Sequence, residues 1–112
     1  MNIVIKNNKK YTLVSLEGKQ LTAVSVPVFR KTVCDKIDSF QKIIILDLTQ
    51  VNFIDSSGLG ALVAAFKLLP AEGKLLICGA GENVRHLFKL TRMDSIFSLY
   101  PNVSRAVQML DN

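Results

Sequence analysis

In the stretch Ile43-Ile44-Ile45-Leu46-Asp47-Leu48-Thr49-Gln50-Val51-Asn52-Phe53-Ile54-Asp55-Ser56-Ser57-Gly58-Leu59-Gly60, a wholly apolar strand gives way to a turn. Two serines then follow an aspartate where a helix must begin. A helix start presents unpaired N–H groups, and its dipole favours negative charge. A hydroxyl placed there is either a cap or a seat for a phosphate. Outward from this point, Ile43 to Leu46 lacks the alternation of a half-exposed strand, which suits a strand covered on both faces. Leu75 to Cys78 repeats that pattern after Glu72-Gly73-Lys74. Between them a helix is expected from about Ser57 to Leu69, stopped by Pro70. Strand, helix and strand at this spacing form a right-handed βαβ unit with parallel strands.

The flanks complete an α/β reading. Ile3 to Ile5 and Tyr11 to Leu16, separated by the polar tetrad Asn7-Asn8-Lys9-Lys10, predict a hairpin. Gly18 to Thr22 reads as a loop. Pro27 suits a first helical turn. Val26, Phe29, Val33, Ile37 and Phe40 keep the spacing of one buried helix face, and Lys31 and Asp35 stand four apart on it, where a weak ion pair is expected. Gly79-Ala80-Gly81 is a loop before a short helix, Asn83 to Leu90, with Val84, Leu87 and Phe88 inward. Ile96 to Tyr100 reads as an edge strand, and Pro101-Asn102 opens a last helix with Val103, Ala106, Val107 and Leu110 on one face. The expected fold is a mixed β-sheet with parallel central strands, packed by about four helices, in one domain spanning 1–112.

Composition narrows the function classes. The chain has 112 residues, 49% hydrophobic and 21% charged, an ordinary globular mix. The N-terminus lacks a signal-peptide pattern and no apolar run is long enough to span a bilayer, so a cytoplasmic location without membrane insertion is expected. Cys34 and Cys78 read as reduced core thiols. With His86 as the single histidine and no cysteine beside it, no metal site is expected. The net charge of +5 lies in the N-terminal third: residues 1–42 carry eight Lys/Arg against three acids, and the rest six against six. The lysines are scattered without interleaved aromatics, which argues for a solvated surface and against nucleic acid, and leaves an acidic partner or membrane surface open. Catalysis has little support. The serines lack the Gly-x-Ser-x-Gly elbow and a nearby base. Gly79-Ala80-Gly81 lacks the third glycine of a dinucleotide loop, and no phosphate loop exists. No cofactor is expected.

The helix after Asp55 is unusual. Gly58 to Phe66 leaves no polar face, with Lys67 its only charge. Such a helix is either buried all round or meets a partner.

Leu46 to Gly60, with its Asp55-Ser56-Ser57-Gly58-Leu59-Gly60 element, resembles the signature of STAS domains in the branch of bacterial anti-sigma factor antagonists. The similarity continues through Leu76 to Gly79, Val84 to Thr91 and Ile96-Phe97 into the last helix. The resemblance implies a protein that binds an anti-sigma factor which is also an ATP-dependent serine kinase, and so frees a sigma factor. It implies phosphorylation of Ser56 by that kinase and resetting by a serine/threonine phosphatase. Asp55, Ser57, Gly58, Leu59, Gly60, Leu62 and Val63 are then expected to form the phosphosite surroundings and partner interface. Asp55 would order the loop, Ser57 would sit in the first helical turn, and Gly58 and Gly60 would admit a neighbouring backbone. One departure stands out. Many relatives carry an acid in a Gly-x-Leu/Ile-Asp element, expected beside the phosphosite, whereas Gly18-Lys19-Gln20-Leu21-Thr22 has none. Two other readings remain: an unmodified STAS subunit docked permanently through the apolar helix on a membrane lipid-transport ATPase, and a small flavodoxin-like enzyme or nucleotide binder.

Overall fold

The computed structural model describes residues 1–111. Its strands are β1 (Asn2–Asn7), β2 (Thr12–Glu17), β3 (Gln20–Leu21), β4 (Ile43–Asp47), β5 (Phe53–Ile54), β6 (Lys74–Cys78) and β7 (Ser98–Tyr100); its helices are α1 (Val26–Thr32), α2 (Ser56–Lys67), α3 (Glu82–Leu90) and α4 (Val103–Leu110), with 3-10 helices at Cys34–Ser39 and Met93–Ser95. The main sheet runs β1-β2-β4-β6-β7. β1 and β2 pair antiparallel, as the hairpin pattern predicts, and β2, β4, β6 and β7 are mutually parallel.

The unbroken apolar runs are explained by helices on both faces. Ile44, Leu46, Leu75 and Ile77 point into a core with Phe29, Leu62, Phe88 and Phe97, beneath α1, α2 and α3. Ile45, Leu76 and Cys78 point the other way, against Ala106, Val103, Val107 and Leu110 of α4. Phe97 bridges α2 and α3: its ring meets Phe66 of α2 edge-on at 6.1 Å and Phe88 of α3 at 5.7 Å between centroids. The buried polar side chain of Thr12 is satisfied on both sides, donating to Asn7 Oδ1 and accepting the Gln41 N–H at 2.8 Å.

Two sequence expectations change. The single helix across Val26 to Phe40 is two pieces: α1 ends at Thr32, and a 3-10 helix follows Val33. Thr32, Val33, Cys34 and Asp35 are all weak helix formers, and the tighter 3-10 turn still delivers buried Val33 and Ile37 to the core. The break also separates Lys31 from Asp35, and the ion pairs among the described residues are instead Lys10–Asp111 and Lys42–Glu72, each at 2.7 Å. The loop over Gly18 to Thr22 contains β3, which forms a parallel two-strand ribbon with β5.

Both thiols are held protonated. Burial, then the nearby Asp47 carboxylate, pushes the Cys78 thiol up to about 12, and burial raises Cys34 as well. A thiolate is the reacting species. N-ethylmaleimide on the native chain at neutral pH is therefore expected to modify half-buried Cys34 slowly and Cys78 only after unfolding; mass spectrometry of the two peptides checks this.

Candidate functional site

The site forms where β4 leaves the sheet. Asp47 Oδ1 accepts the Thr49 N–H at 3.0 Å and the Thr49 hydroxyl at 2.5 Å, which turns the chain. The Leu48 N–H reaches the Cys78 carbonyl at 2.9 Å, anchoring the turn to β6. The chain then runs along the 18–21 segment: the Asn52 N–H donates to Lys19 O at 2.8 Å, Ile54 pairs with Leu21, and the Asp55 N–H donates to Leu21 O at 3.2 Å. Buried Ile54 fixes the register, so Asp55 and Ser56 emerge at the surface.

Asp55 is extended, with φ −90° and ψ −177°, and is the N-cap of α2. Its Oδ1 accepts the Gly58 N–H at 2.8 Å, the usual way a cap satisfies an orphan donor. Its Oδ2 accepts the Ala23 N–H at 3.1 Å. One carboxylate thus ties the start of α2 to the loop after β3. Ser56 is therefore not the cap. It is the first residue of α2, exposed, and its hydroxyl has no hydrogen-bond partner among the described residues. Ser57, also exposed, occupies the first turn as expected.

The other expected site residues divide. Gly58 is buried against the ribbon: a Cβ there would lie 2.2 Å from the Leu21 carbonyl oxygen. Close backbone approach is thus built in at Gly58. At Gly60 it is not; that residue is exposed, with nothing near its Cβ position. Leu62 is fully buried, at 0% exposure, together with Ala61 and Ala65. Gly58 and Leu62 belong to the core, and neither offers a side chain to a partner. Leu59 and Val63 are half-buried on the flank of α2. The apolar helix is explained chiefly by core packing, because α1 and the ribbon cover much of what a sheet alone would leave open.

Exposed apolar residues lie elsewhere, among them Leu90 on α3, Met109 on α4 and three on the segments that precede or pack beside α2. Val24, in the loop that Asp55 holds, is 90% exposed; Val28 on α1 is 43% and Phe53 on β5 is 50% exposed. Phe53 also borders a groove of about 300 Å³ between β5 and α3, lined by Leu87, Leu90 and His86. In the sequence, Val24 stands out only as an apolar residue between turn-forming Thr22 and Ser25, and Phe53, between Asn52 and Ile54, carries no periodic signal. His86 is exposed on α3 and makes no hydrogen bond to either serine among the described residues. The loop lacking an acid is beside Ser56, as expected, and closes on itself: the Thr22 N–H donates to Ser25 Oγ at 2.9 Å and the Val24 N–H to Thr22 Oγ1 at 3.3 Å.

Asp55 does double duty, and its two oxygens can be separated. Asn at this position keeps one oxygen for Gly58 but presents an N–H₂ to Ala23. Asp55→Asn is expected to leave unfolding stability close to the parent while speeding hydrogen exchange at the Ala23 amide; Asp55→Ala is expected to lose the cap as well, at about 1 kcal/mol. Urea titration and amide exchange by NMR check both.

The family model for the STAS domain matches residues 2–106. An anti-sigma-B factor antagonist of Listeria monocytogenes is 36% identical over 55 residues, and that match spans about half of each protein, 48% of both. The anti-sigma-B factor antagonist of Bacillus subtilis is 27% identical over 109 residues, covering 96% of this chain and 98% of the relative. The crystal structure of an anti-sigma factor antagonist from Mycobacterium paratuberculosis superposes with a TM-score of 0.89 at 23% identity, covering 99% of this chain and 94% of that one, so it has the same fold. With the family match running from β1 into α4 and the fold shared end to end, the chain belongs to the STAS domain family.

Proposed function

We propose that this chain is an anti-sigma factor antagonist that binds an anti-sigma factor of the ATP-dependent serine kinase class and is switched off by phosphorylation at Ser56. The observation that carries this reading is the free hydroxyl of Ser56: exposed, first in α2, and relieved of capping by Asp55. A kinase can reach such a group without unfolding anything. The relatives from Listeria monocytogenes and Bacillus subtilis are named anti-sigma-B factor antagonists, which supports an anti-sigma factor as the partner.

The chemistry of the switch follows from charge. A phosphoryl group on Ser56 adds about −1.5 to −2 charges. Within the chain this is tolerated, because the α2 N-terminus supplies N–H groups and a favourable dipole. Within an interface it is not, because a dianion pressed against a partner shaped for a hydroxyl must be desolvated without compensation. Asp55, already negative beside it, adds repulsion. The fold therefore survives modification and the complex does not. A serine/threonine phosphatase reverses the change. In this reading the chain is the substrate of both enzymes and performs no chemical step itself. The alternative, permanent docking on a membrane transporter through an apolar α2, loses its main support, since Ala61, Leu62 and Ala65 are already buried.

Incubating the chain with the source organism's kinase-fold anti-sigma proteins and ATP, then mapping phosphate by mass spectrometry, tests the reading. Phosphate on the Ser56 peptide is expected. Tight binding with no transfer to Ser56 would contradict it.

A further inference from the structure

We infer that β1 is a contact surface for a second copy of this chain, the two copies joining edge to edge so that their sheets run on into one. The inference is independent of the Ser56 switch, because β1 supplies no residue to that site. β1 is six residues long and pairs only with β2, whereas β7, at the other edge of the sheet, has three residues. A long free edge presents unpaired N–H and C=O groups that accept another strand.

The hairpin fixes which backbone groups are free. The Asn8 N–H donates to the Tyr11 carbonyl at 3.1 Å, so the hairpin closes on a hydrogen-bonded pair. Bonded and non-bonded pairs alternate along an antiparallel ladder. Lys6–Leu13, Val4–Ser15 and Asn2–Glu17 are therefore bonded pairs, and Ile3, Ile5 and Asn7 turn their N–H and C=O groups outward. A two-fold axis at Val4 sets Ile3 opposite the partner's Ile5, and each such pair exchanges both of its hydrogen bonds.

The side chains fit this register. Ile3 and Ile5 are half-buried against the main core, and the partner's Ile5 and Ile3 extend that cover. Val4, half-buried on the opposite face beside Ser15, meets the partner's Val4. Asn2 stands opposite the partner's Lys6. Glu17 lies on the other side of Asn2 and accepts its side-chain N–H at 2.9 Å, so one face reads Glu17, Asn2 and then the partner's Lys6. Two strand spacings, about 10 Å, lie within the joint reach of a glutamate and a lysine. Both residues are exposed, and neither is in an ion pair among the described residues. The two-fold makes this contact twice. An axis at Ile5 would set Val4 against Lys6, and one at Ile3 would set it against Asn2. Charge and apolar matching together select a second copy in one register. The net charge of +5 opposes the association, and the edge is short, so the dimer is weak, with a dissociation constant on the order of 100 μM.

Cysteine placement tests the register. In Val4→Cys the two thiols face each other across a non-hydrogen-bonded pair, at a spacing that suits a disulfide. Air oxidation at about the dissociation constant is expected to give a disulfide dimer of twice the 12.4 kDa chain mass. Lys6→Cys, more exposed but opposite Asn2, is expected to stay monomeric, as is the parent with its protonated thiols. Sedimentation equilibrium measures affinity without a crosslink. Lys6→Glu is expected to weaken the dimer about tenfold through its two symmetric contacts, and adding Glu17→Lys is expected to restore it. These side chains are solvated, so circular dichroism should match the parent. A parent that stays monomeric well above the dissociation constant, or equal crosslinking of Val4→Cys and Lys6→Cys, would overturn the inference. Crosslinking at Val4→Cys without rescue by the charge swap would overturn the Glu17–Lys6 contact.

Discussion

Ser56→Asp is expected to weaken the complex with the anti-sigma partner about 100-fold while leaving the fold intact. The loss follows from confronting a partner surface with an unpaired charge, which costs roughly 2–5 kcal/mol when the group is desolvated. Stability should hardly move. The side chain at 56 is exposed and free of hydrogen bonds among the described residues, and surface changes of this kind stay within about 0.5 kcal/mol. A carboxylate in the first turn of α2 even gains from the dipole. Calorimetric titration paired with a thermal scan measures both quantities. Ser56→Ala is expected to bind as the unmodified chain does and to stay bound when ATP is added. Equal affinities for the aspartate and alanine forms would contradict the switch.

The second large effect is structural. Gly58→Ala would set a methyl 2.2 Å from the Leu21 carbonyl oxygen and 2.9 Å from Ile54 Cγ2. The first obstacle is backbone, held by pairing of β3 with β5, and it cannot rotate away. Alanine gains about 1 kcal/mol of helix propensity over glycine, but overpacking costs about 3 kcal/mol where the wall is rigid. A net loss of about 2 kcal/mol is expected, with the ribbon displaced from α2 and partner binding weakened together with stability. Gly60→Ala is the internal control. Nothing lies near its Cβ position, so the propensity term stands alone and the variant should be more stable by about 0.5–1 kcal/mol. Urea midpoints of the two variants on opposite sides of the parent would match this account; a neutral Gly58→Ala would mean that β3 is not wedged against α2.

Which parts of this arrangement the sequence discloses follows from the length of each signal. Ile43 to Leu46 and Leu75 to Cys78 are long apolar runs, and they disclose the central parallel strands and the cover on both faces. α3 and α4 keep a helical period for two turns and are equally legible. β3 and β5 are two residues each, too short for any alternation, and exist because Leu21 and Ile54 are drawn into the core between the sheet and α2. The break after Thr32 is invisible to spacing because Phe29, Val33 and Ile37 face inward whether the backbone is α or 3-10. At the site, the serines and the acid were legible as a helix start, but which of them caps is a matter of register. That register is set by the ribbon, which puts Asp55 at the N-cap and Ser56 one step inside. The side chains of α2 were harder still. Burial of Leu62 depends on α1 and the ribbon closing over it, and the loop that carries exposed Val24 is tied down by a hydrogen bond from the Ala23 N–H to Asp55, thirty-two residues away in sequence.

The measurement that bears most directly on the switch is a titration of one anti-sigma partner with two preparations of the same chain, unmodified and stoichiometrically phosphorylated on Ser56. The account predicts a tight complex with the first and loss of about two orders of magnitude or more in affinity with the second, with superimposable circular dichroism spectra. Equal affinity for the two preparations would contradict it.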